Sequence, residues 1–380
     1  MEDIASFLNM KISFNRTNIS EQSDLFIDTL CLKIEKRRLL LTSINSNEIE
    51  KKVIKELTTS LEEKTLENDN DKIIILTNGN LILPSSNQES SARQGKQLIE
   101  KLIETINDAL KKEMIDCCHY ISEVEIDGLY GCIEDPDGLS DKKIQLSFFT
   151  NDNKPVVVIA YISCSNLENT NDIHVINKSP FEKIREKLEK FYGCPVMILR
   201  KSGVEMKFLN SISIEHTINQ IVRKQSCRIK TDIQKIQIKN INFNEKITLE
   251  KIIIQEKLNE IEYRLENEMD LAVRSKLIKT IDFLKEIYNN VPLQFPITLV
   301  DFGNMKIFFA SAMVSSRISM MIQNMYKDID IRIVDCAFDF KDKYILDNEY
   351  VLSFDFGKDV SLYLSNNGKE FTRYIIENIQ

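Results

Sequence analysis

The chain has 380 residues, 43% of them hydrophobic and 28% charged, which allows one large core or two to three domains and excludes wholesale disorder. Its net charge is −8, and with only 10 glycines, 7 prolines and no tryptophan it is poorly equipped for the glycine loops of nucleotide enzymes. The longest apolar run, VVVIAYI (156–162), is far below the roughly 18–20 residues that span a bilayer, so no membrane insertion is expected.

The start, MEDIASFLN, is acidic where a signal peptide would be basic, and the eight cysteines are scattered apart from Cys117–Cys118. These features lead us to expect a soluble intracellular protein with free thiols. From the N-terminus, apolar residues over 20–66 recur at three- and four-residue steps (Leu25, Ile27, Leu30, Leu32, Ile34, then Val53, Ile54, Leu57, Leu61), which predicts helix. KIIILTNGNLILP reads as a β-hairpin turning at Asn78–Gly79. After the polar loop 85–96, Ile99, Leu102, Ile103, Ile106 and Leu110 share one face of a helix.

Strands dominate from 117 to 245: YISEVEID, KIQLSFF, PVVVIAYI, DIHVI and PVMILR, with helices at about 180–192 and 213–224 and strand in the second half of 220–240. Residues 247–289 are helical, with a loss of phase near Asn267–Leu271 that predicts a kink or a helical hairpin. Strand, helix, three further strands and a last helix complete the chain. The class expected is α+β, with a helical N-terminal region, mixed and antiparallel sheets with flanking helices, and the helical segment near 247–289. The segments expected are 1–115, 116–245 and 246–380.

Residues 181–240 hold thirteen Lys/Arg against six Asp/Glu, a net of +7 that leaves −15 on the remainder. Clustered cations neutralise phosphates and release counterions, so Arg185, Lys190, Arg200, Lys201, Lys207, Arg223, Lys224, Arg228, Lys230, Lys235 and Lys239 are candidate DNA contacts, with Tyr192 as a base-stacking ring. The opposing interpretation scatters these charges over separate solvated faces.

Glu123, Glu125 and Asp127 alternate along one strand face, and Glu134, Asp135, Asp137 and Asp141 follow. The row could serve a divalent ion in phosphoryl transfer, but it lacks an aligned lysine and fits a solvated strand edge better. Cys117, Cys118 and His119 have the wrong spacing for zinc, and the other histidines, His174 and His216, stand far apart. Met313, Met320, Met321 and Met325 read as core filler on a helix. No catalytic constellation, metal or cofactor is expected.

Several segments together resemble the poxvirus telomere-binding protein family: MKISFN (10–15), GLYGCIEDPDG (128–138), LSFFTNDNKPVVVIAYI (146–162), INKSPFEKIREKLEKF (176–191), MKFLNSISIEHTINQIV (206–222), ITLVDFGNMKIFF and DIDIRIVDCAFDF. Their order and the chain length also fit, in patches across about 120–360. The resemblance implies a non-enzymatic protein that binds the hairpin termini of a viral genome and aids its encapsidation. It would meet packaging or virion core proteins, in the host cytoplasm and the virion. Two alternatives stand beside it: a metal-dependent phosphoryl-transfer enzyme using the acids of 123–141, and an assembly protein acting through the 247–289 helices.

Overall fold

The computed structural model describes residues 10–20, 23–44, 71–77, 88–126, 130–132, 141, 143–163, 180–203, 206–208, 219–223, 228–231, 233, 236–245, 251–289, 293–335, 344–345 and 367–379. Chain order begins with strands β1 (Met10–Ser20), β2 (Ser23–Ile34), β3 (Arg37–Ile44) and β4 (Lys72–Thr77), helix α1 (Gln88–Lys111) and strand β5 (Ile115–Asp116). Next come β6 (Cys118–Glu125), β7 (Tyr130–Cys132), β8 (Lys143–Asn151), β9 (Lys154–Ile162), α2 (Pro180–Tyr192), β10 (Val196–Arg200), β11 (Met206–Phe208) and β12 (Ile229–Lys230). The C-terminal part holds β13 (Gln237–Glu245), α3 (Lys251–Asn267), α4 (Leu271–Tyr288), β14 (Leu293–Asp301), β15 (Met305–Ala310) and β16 (Met313–Val314). It ends with α5 (Ser316–Met325), β17 (Asp330–Val334), β18 (Tyr344–Ile345) and α6 (Asn367–Ile379).

Three sheets carry the architecture, in the orders β4-β3-β2-β1-β5, β10-β9-β8-β6-β12 and β13-β14-β15-β17; two-stranded pairs β7/β11 and β16/β18 accompany them. Their inner faces share one core. Leu30, Leu32, Leu39 and Leu41 of the first sheet meet Phe149, Val157, Ile159 and Leu199 of the second and Val300, Ile307 and Val334 of the third. Each outer face is covered by helix. Leu98, Leu102 and Ile106 of α1 lie on Ile27, Cys31 and Leu40; Phe181, Ile184 and Leu188 of α2 lie on Phe148, Val158 and Val196. The third sheet packs Phe295, Leu299 and Phe308 under α3, α4, α5 and α6.

The class is α+β, but the helical N-terminal region is not found: 23–44 is a β-hairpin whose strands pair Ile27 with Ile44 and Leu32 with Leu39. Both faces of this hairpin are buried, so apolar residues occupy odd and even positions alike and the period of two is hidden. Residues 53–61 and the Asn78–Gly79 turn lie outside the described residues, although 72–77 is strand as expected. Elsewhere single-face patterns proved reliable. Helix 180–192 forms, and 247–289 becomes the hairpin α3–α4, broken at 268–270. Its apolar residues Leu258, Ile261, Leu277, Ile281 and Leu284 are spent on the third sheet rather than offered to a partner.

The parallel strands bring the functional region together. β9 and β10 run parallel, as do β15 and β17, and the edge strands β10 and β17 meet at an antiparallel bridge between Lys201 and Val334. Ser202 N–H donates to Ile333 O (2.9 Å), Asp335 N–H to Arg200 O (3.0 Å) and Gly203 N–H to Val314 O (2.8 Å). The carboxyl ends of strands from two sheets therefore converge.

Candidate functional site

At this convergence Lys201 Nζ donates to Asp141 Oδ2, and Ser163 Oγ donates to the same oxygen at 3.4 Å. All three side chains are buried, Lys201 completely. Ser163 follows the last residue of β9, and Lys201 the last of β10, and Lys201 N–H donates to Ile162 O (3.0 Å), so the backbone ladder fixes their relative position. Gly203 completes the corner. A Cβ there would lie 2.9 Å from the carbonyl carbon of Ser163, and its φ of +158 is one that L side chains rarely adopt, so only glycine lets these chains approach.

Buried charges of this kind survive only when paired and hydrogen-bonded. One carboxylate oxygen that accepts from both an ammonium and a hydroxyl gives three reactive functions on one atom. Chemically, the carboxylate can take the hydroxyl proton while the ammonium steadies its charge, which is the logic of an activated serine. The flanking segments 164–179, 204–205 and 336–343 lie outside the described residues.

A second polar group sits between the same two sheets. Arg332, 1% exposed, donates from Nη1 to Ser147 Oγ (2.9 Å) and from Nε and Nη2 to Asp330 (3.0 and 2.5 Å to Oδ2). Its guanidinium carbon lies 4.3 Å from the centre of the Tyr161 ring, and Gln145 Nε2 donates to Asp330 Oδ1 (3.3 Å). Nearby, the Thr231 hydroxyl donates to His119 O (3.3 Å), so its oxygen is left to accept from His119 Nδ1 at 2.6 Å. Burial, reinforced by the Arg332 charge and only partly opposed by Asp330, pushes the His119 pKa down to about 3. The ring is therefore neutral at physiological pH. Among the described residues no three His, Cys, Asp or Glu side chains come together to hold a metal ion; His174 and His216 lie outside them.

Among the described residues, the basic block divides between the interior and the surface. Arg200 and Lys201 point into the interior at the strand ends, and Arg185 is buried between Glu182 and Glu189 (3.4 Å each), its guanidinium 4.2 Å from the Phe26 ring. Lys190, Arg223, Arg228, Lys230 and Lys239 are exposed and Tyr192 is half-buried. Lys224 and Lys235, and the side chain of Lys207, lie outside the described residues. The reason for the split is geometric: β10 has both faces covered, so its terminal cations go inward with it.

Glu123 and Glu125 do share one exposed face of β6, where Glu123 meets Lys143 at 3.0 Å; Asp127 is outside the described residues. Asp141, the last acid of that row, instead joins the buried cluster. The methionines of α5 are not core: Met321 and Met325 are exposed, Met320 is half-buried, and the side chain of Met313 is outside the described residues. Ser163, Tyr161 and the Arg332–Asp330 pair escaped the sequence reading. A usable signal was present in DIRIV, where a cation interrupts an apolar strand two residues after an acid.

No family model matches the chain, and no curated protein matches it in sequence. Solved structures do match in fold. The crystal structure of neutral ceramidase from Pseudomonas aeruginosa aligns with a TM-score of 0.68 at 11% identity, covering 97% of this chain and 74% of the other. A ceramidase complexed with C2 aligns with a TM-score of 0.68 at 9% identity over the same shares. At such identities the likeness establishes the fold alone. The expectation of a non-enzymatic DNA-binding protein is corrected by this fold, since 97% of the chain follows the architecture of neutral ceramidases.

Proposed function

We propose that the chain is a hydrolase of the acyl-amide bond in ceramide-type lipids, with Ser163, Asp141 and Lys201 as its reacting cluster. One observation carries the reading: in a fold shared with neutral ceramidases, a serine hydroxyl and a lysine ammonium meet on a single buried carboxylate oxygen at the carboxyl ends of parallel strands.

In this scheme Ser163 Oγ attacks the acyl carbonyl carbon and its proton passes to Asp141. The C–N bond then breaks, and Asp141 returns the proton to the departing amine. Water, giving its proton to the same carboxylate, then attacks the acyl-serine ester; the ester C–O bond breaks, the fatty acid leaves and the proton passes from Asp141 to Ser163 Oγ. Lys201 holds the Asp141 carboxylate in place by its hydrogen bond and touches no substrate atom, so it is a positioning residue. Burial strengthens each of these interactions by excluding water.

The test is fatty-acid release from a short-acyl ceramide in detergent micelles. We expect turnover by the full chain and its loss in Ser163→Ala, with thermal unfolding unchanged. Absence of turnover across pH and added divalent ions, or full turnover by Ser163→Ala, overturns the proposal.

A further inference from the structure

The inner face of β8 carries an unmet acceptor beside the serine cluster. Gln145 is 6% exposed, and its Nε2 donates to Asp330 Oδ1 (3.3 Å). A carboxylate only accepts, so this contact assigns the two ends of the carboxamide: nitrogen toward Asp330, oxygen away from it. That oxygen, Oε1, is buried and has no hydrogen-bond partner among the described residues. A buried acceptor left unmet costs stability and asks for a donor from outside the chain, a water or a ligand.

Strand register places this acceptor next to Ser163. Gln145 stands directly opposite Tyr161 in the β8–β9 ladder, and Ser163 lies two residues beyond Tyr161. Side chains alternate along a strand, so Gln145 and Ser163 share the inner face that carries Phe149, Ile159 and Tyr161. Diagonal neighbours across an antiparallel pair are about 7–8 Å apart, within reach of a side chain as long as glutamine. The same strand also anchors the carboxylate: Lys143 N–H, two residues before Gln145, donates to Asp141 Oδ1 (3.0 Å). Arg332 makes the mount of Gln145 rigid. Its Nε lies 3.2 Å from Asp330 Oδ1, and its Nη1 is tied to Ser147.

We infer that Gln145 is a specificity-determining residue, accepting a hydrogen bond from the N–H of the scissile amide. The inference deepens the hydrolase reading and rests on it for the identity of the site. An ester of the same shape brings no N–H, so its binding leaves Oε1 unmet in a buried place, the kind of penalty on which strong discrimination is built. The bond holds the nitrogen through the hydrogen it already carries, and the nitrogen lone pair stays available for the proton returned by Asp141.

Calorimetric titration of the full chain carrying Ser163→Ala tests this without turnover. The ligands are a short-acyl ceramide and the ester in which oxygen replaces its amide nitrogen, both in detergent micelles. The amide should bind about tenfold more tightly, the worth of one hydrogen bond to an acceptor otherwise left unmet. Adding Gln145→Met, which leaves Asp330 bonded to Arg332, should bring the two affinities together with thermal unfolding retained. Equal binding of amide and ester by Ser163→Ala overturns the inference and assigns Oε1 to a bound water. A preference that survives Gln145→Met overturns it as well. Should the double variant not fold, the two ligands on Ser163→Ala alone decide. Binding of neither ligand overturns the inference and the hydrolase reading together, whereas an amide preference without fatty-acid release by the unaltered chain overturns the hydrolase reading alone.

Discussion

Arg200 and Lys201 on one side, Arg228 and Lys230 on the other, come from the same basic block, yet they live in opposite environments. The first two end a strand covered on both faces and lie buried where two sheets meet. The other two sit at the edge strand β12, Arg228 just before it and Lys230 as its last residue, and face solvent. In the interior a cation is worth little by itself and much to its partner, because an abandoned buried charge is the costly state. At the surface the same charge is screened and nearly neutral for stability, and its value lies in what it attracts. Charge density along the chain therefore says less than the strand that carries each charge.

The sharpest break in this comparison is removal of one buried partner. Asp141→Ala leaves Lys201 without its carboxylate in a fully buried position and should cost about 3–5 kcal/mol in denaturant unfolding. The double change Asp141→Leu with Lys201→Met should recover much of that loss, since a hydrophobic pair needs no compensation. No recovery in the double variant would place the stability of this corner elsewhere. Gly203→Ala probes the same corner without touching charge. Its Cβ would fall 2.9 Å from the Ser163 backbone, so a loss of about 1–3 kcal/mol should appear in thermal unfolding, accompanied by loss of whatever activity depends on Ser163.

His119 extends the comparison to pH. Its folded pKa is near 3 because burial and the Arg332 charge oppose protonation, whereas the unfolded side chain titrates near 6.5. The unfolded chain therefore binds the extra proton between these values. Stability contributed by the neutral ring is fully present above pH 6.5 and is lost as pH falls, at up to about 1.4 kcal/mol per pH unit. His119→Gln should flatten unfolding free energy over this window while lowering its neutral-pH value, because Thr231 loses the fit of its 2.6 Å contact. An unchanged acid slope would assign the loss to other groups.

How far the sequence could be read follows the same division between one-sided and two-sided burial. Phe181, Ile184 and Leu188 recur on one face of α2, and the helix was legible because its other face is wet. β2 and β3 were mistaken for helix because α1 covers one face and the central core the other. The candidate site fared similarly. Lys201 stood out as charge, but nothing local indicated that Asp141, sixty residues earlier, would meet it inside the fold. That contact depends on two parallel strand ends being brought together, a property of topology that no window of residues contains. Ser163 carried no signal beyond ending an apolar run.

The smallest expected effect is at the surface, and it decides whether the two regions are truly different in kind. Lys230→Gln removes one exposed cation from the edge strand, and exposed substitutions of this sort usually shift stability by less than about 0.5 kcal/mol. Breaking the Glu123–Lys143 pair by Glu123→Gln should cost about 0.2–1 kcal/mol, since both side chains are more than 40% exposed and water screens their attraction. Both losses should shrink toward zero in high salt, as the screening length falls to a few ångströms. The interior pair should not respond in this way, because no mobile ion reaches Lys201. Unfolding titrations of the three variants at low and high salt separate the cases: salt-insensitive loss for Asp141→Ala, salt-erased loss for Glu123→Gln, and next to none for Lys230→Gln. A salt-sensitive loss at Asp141 would mean that solvent ions enter the strand-end cluster, and its chemistry would then have to be argued as that of an open crevice.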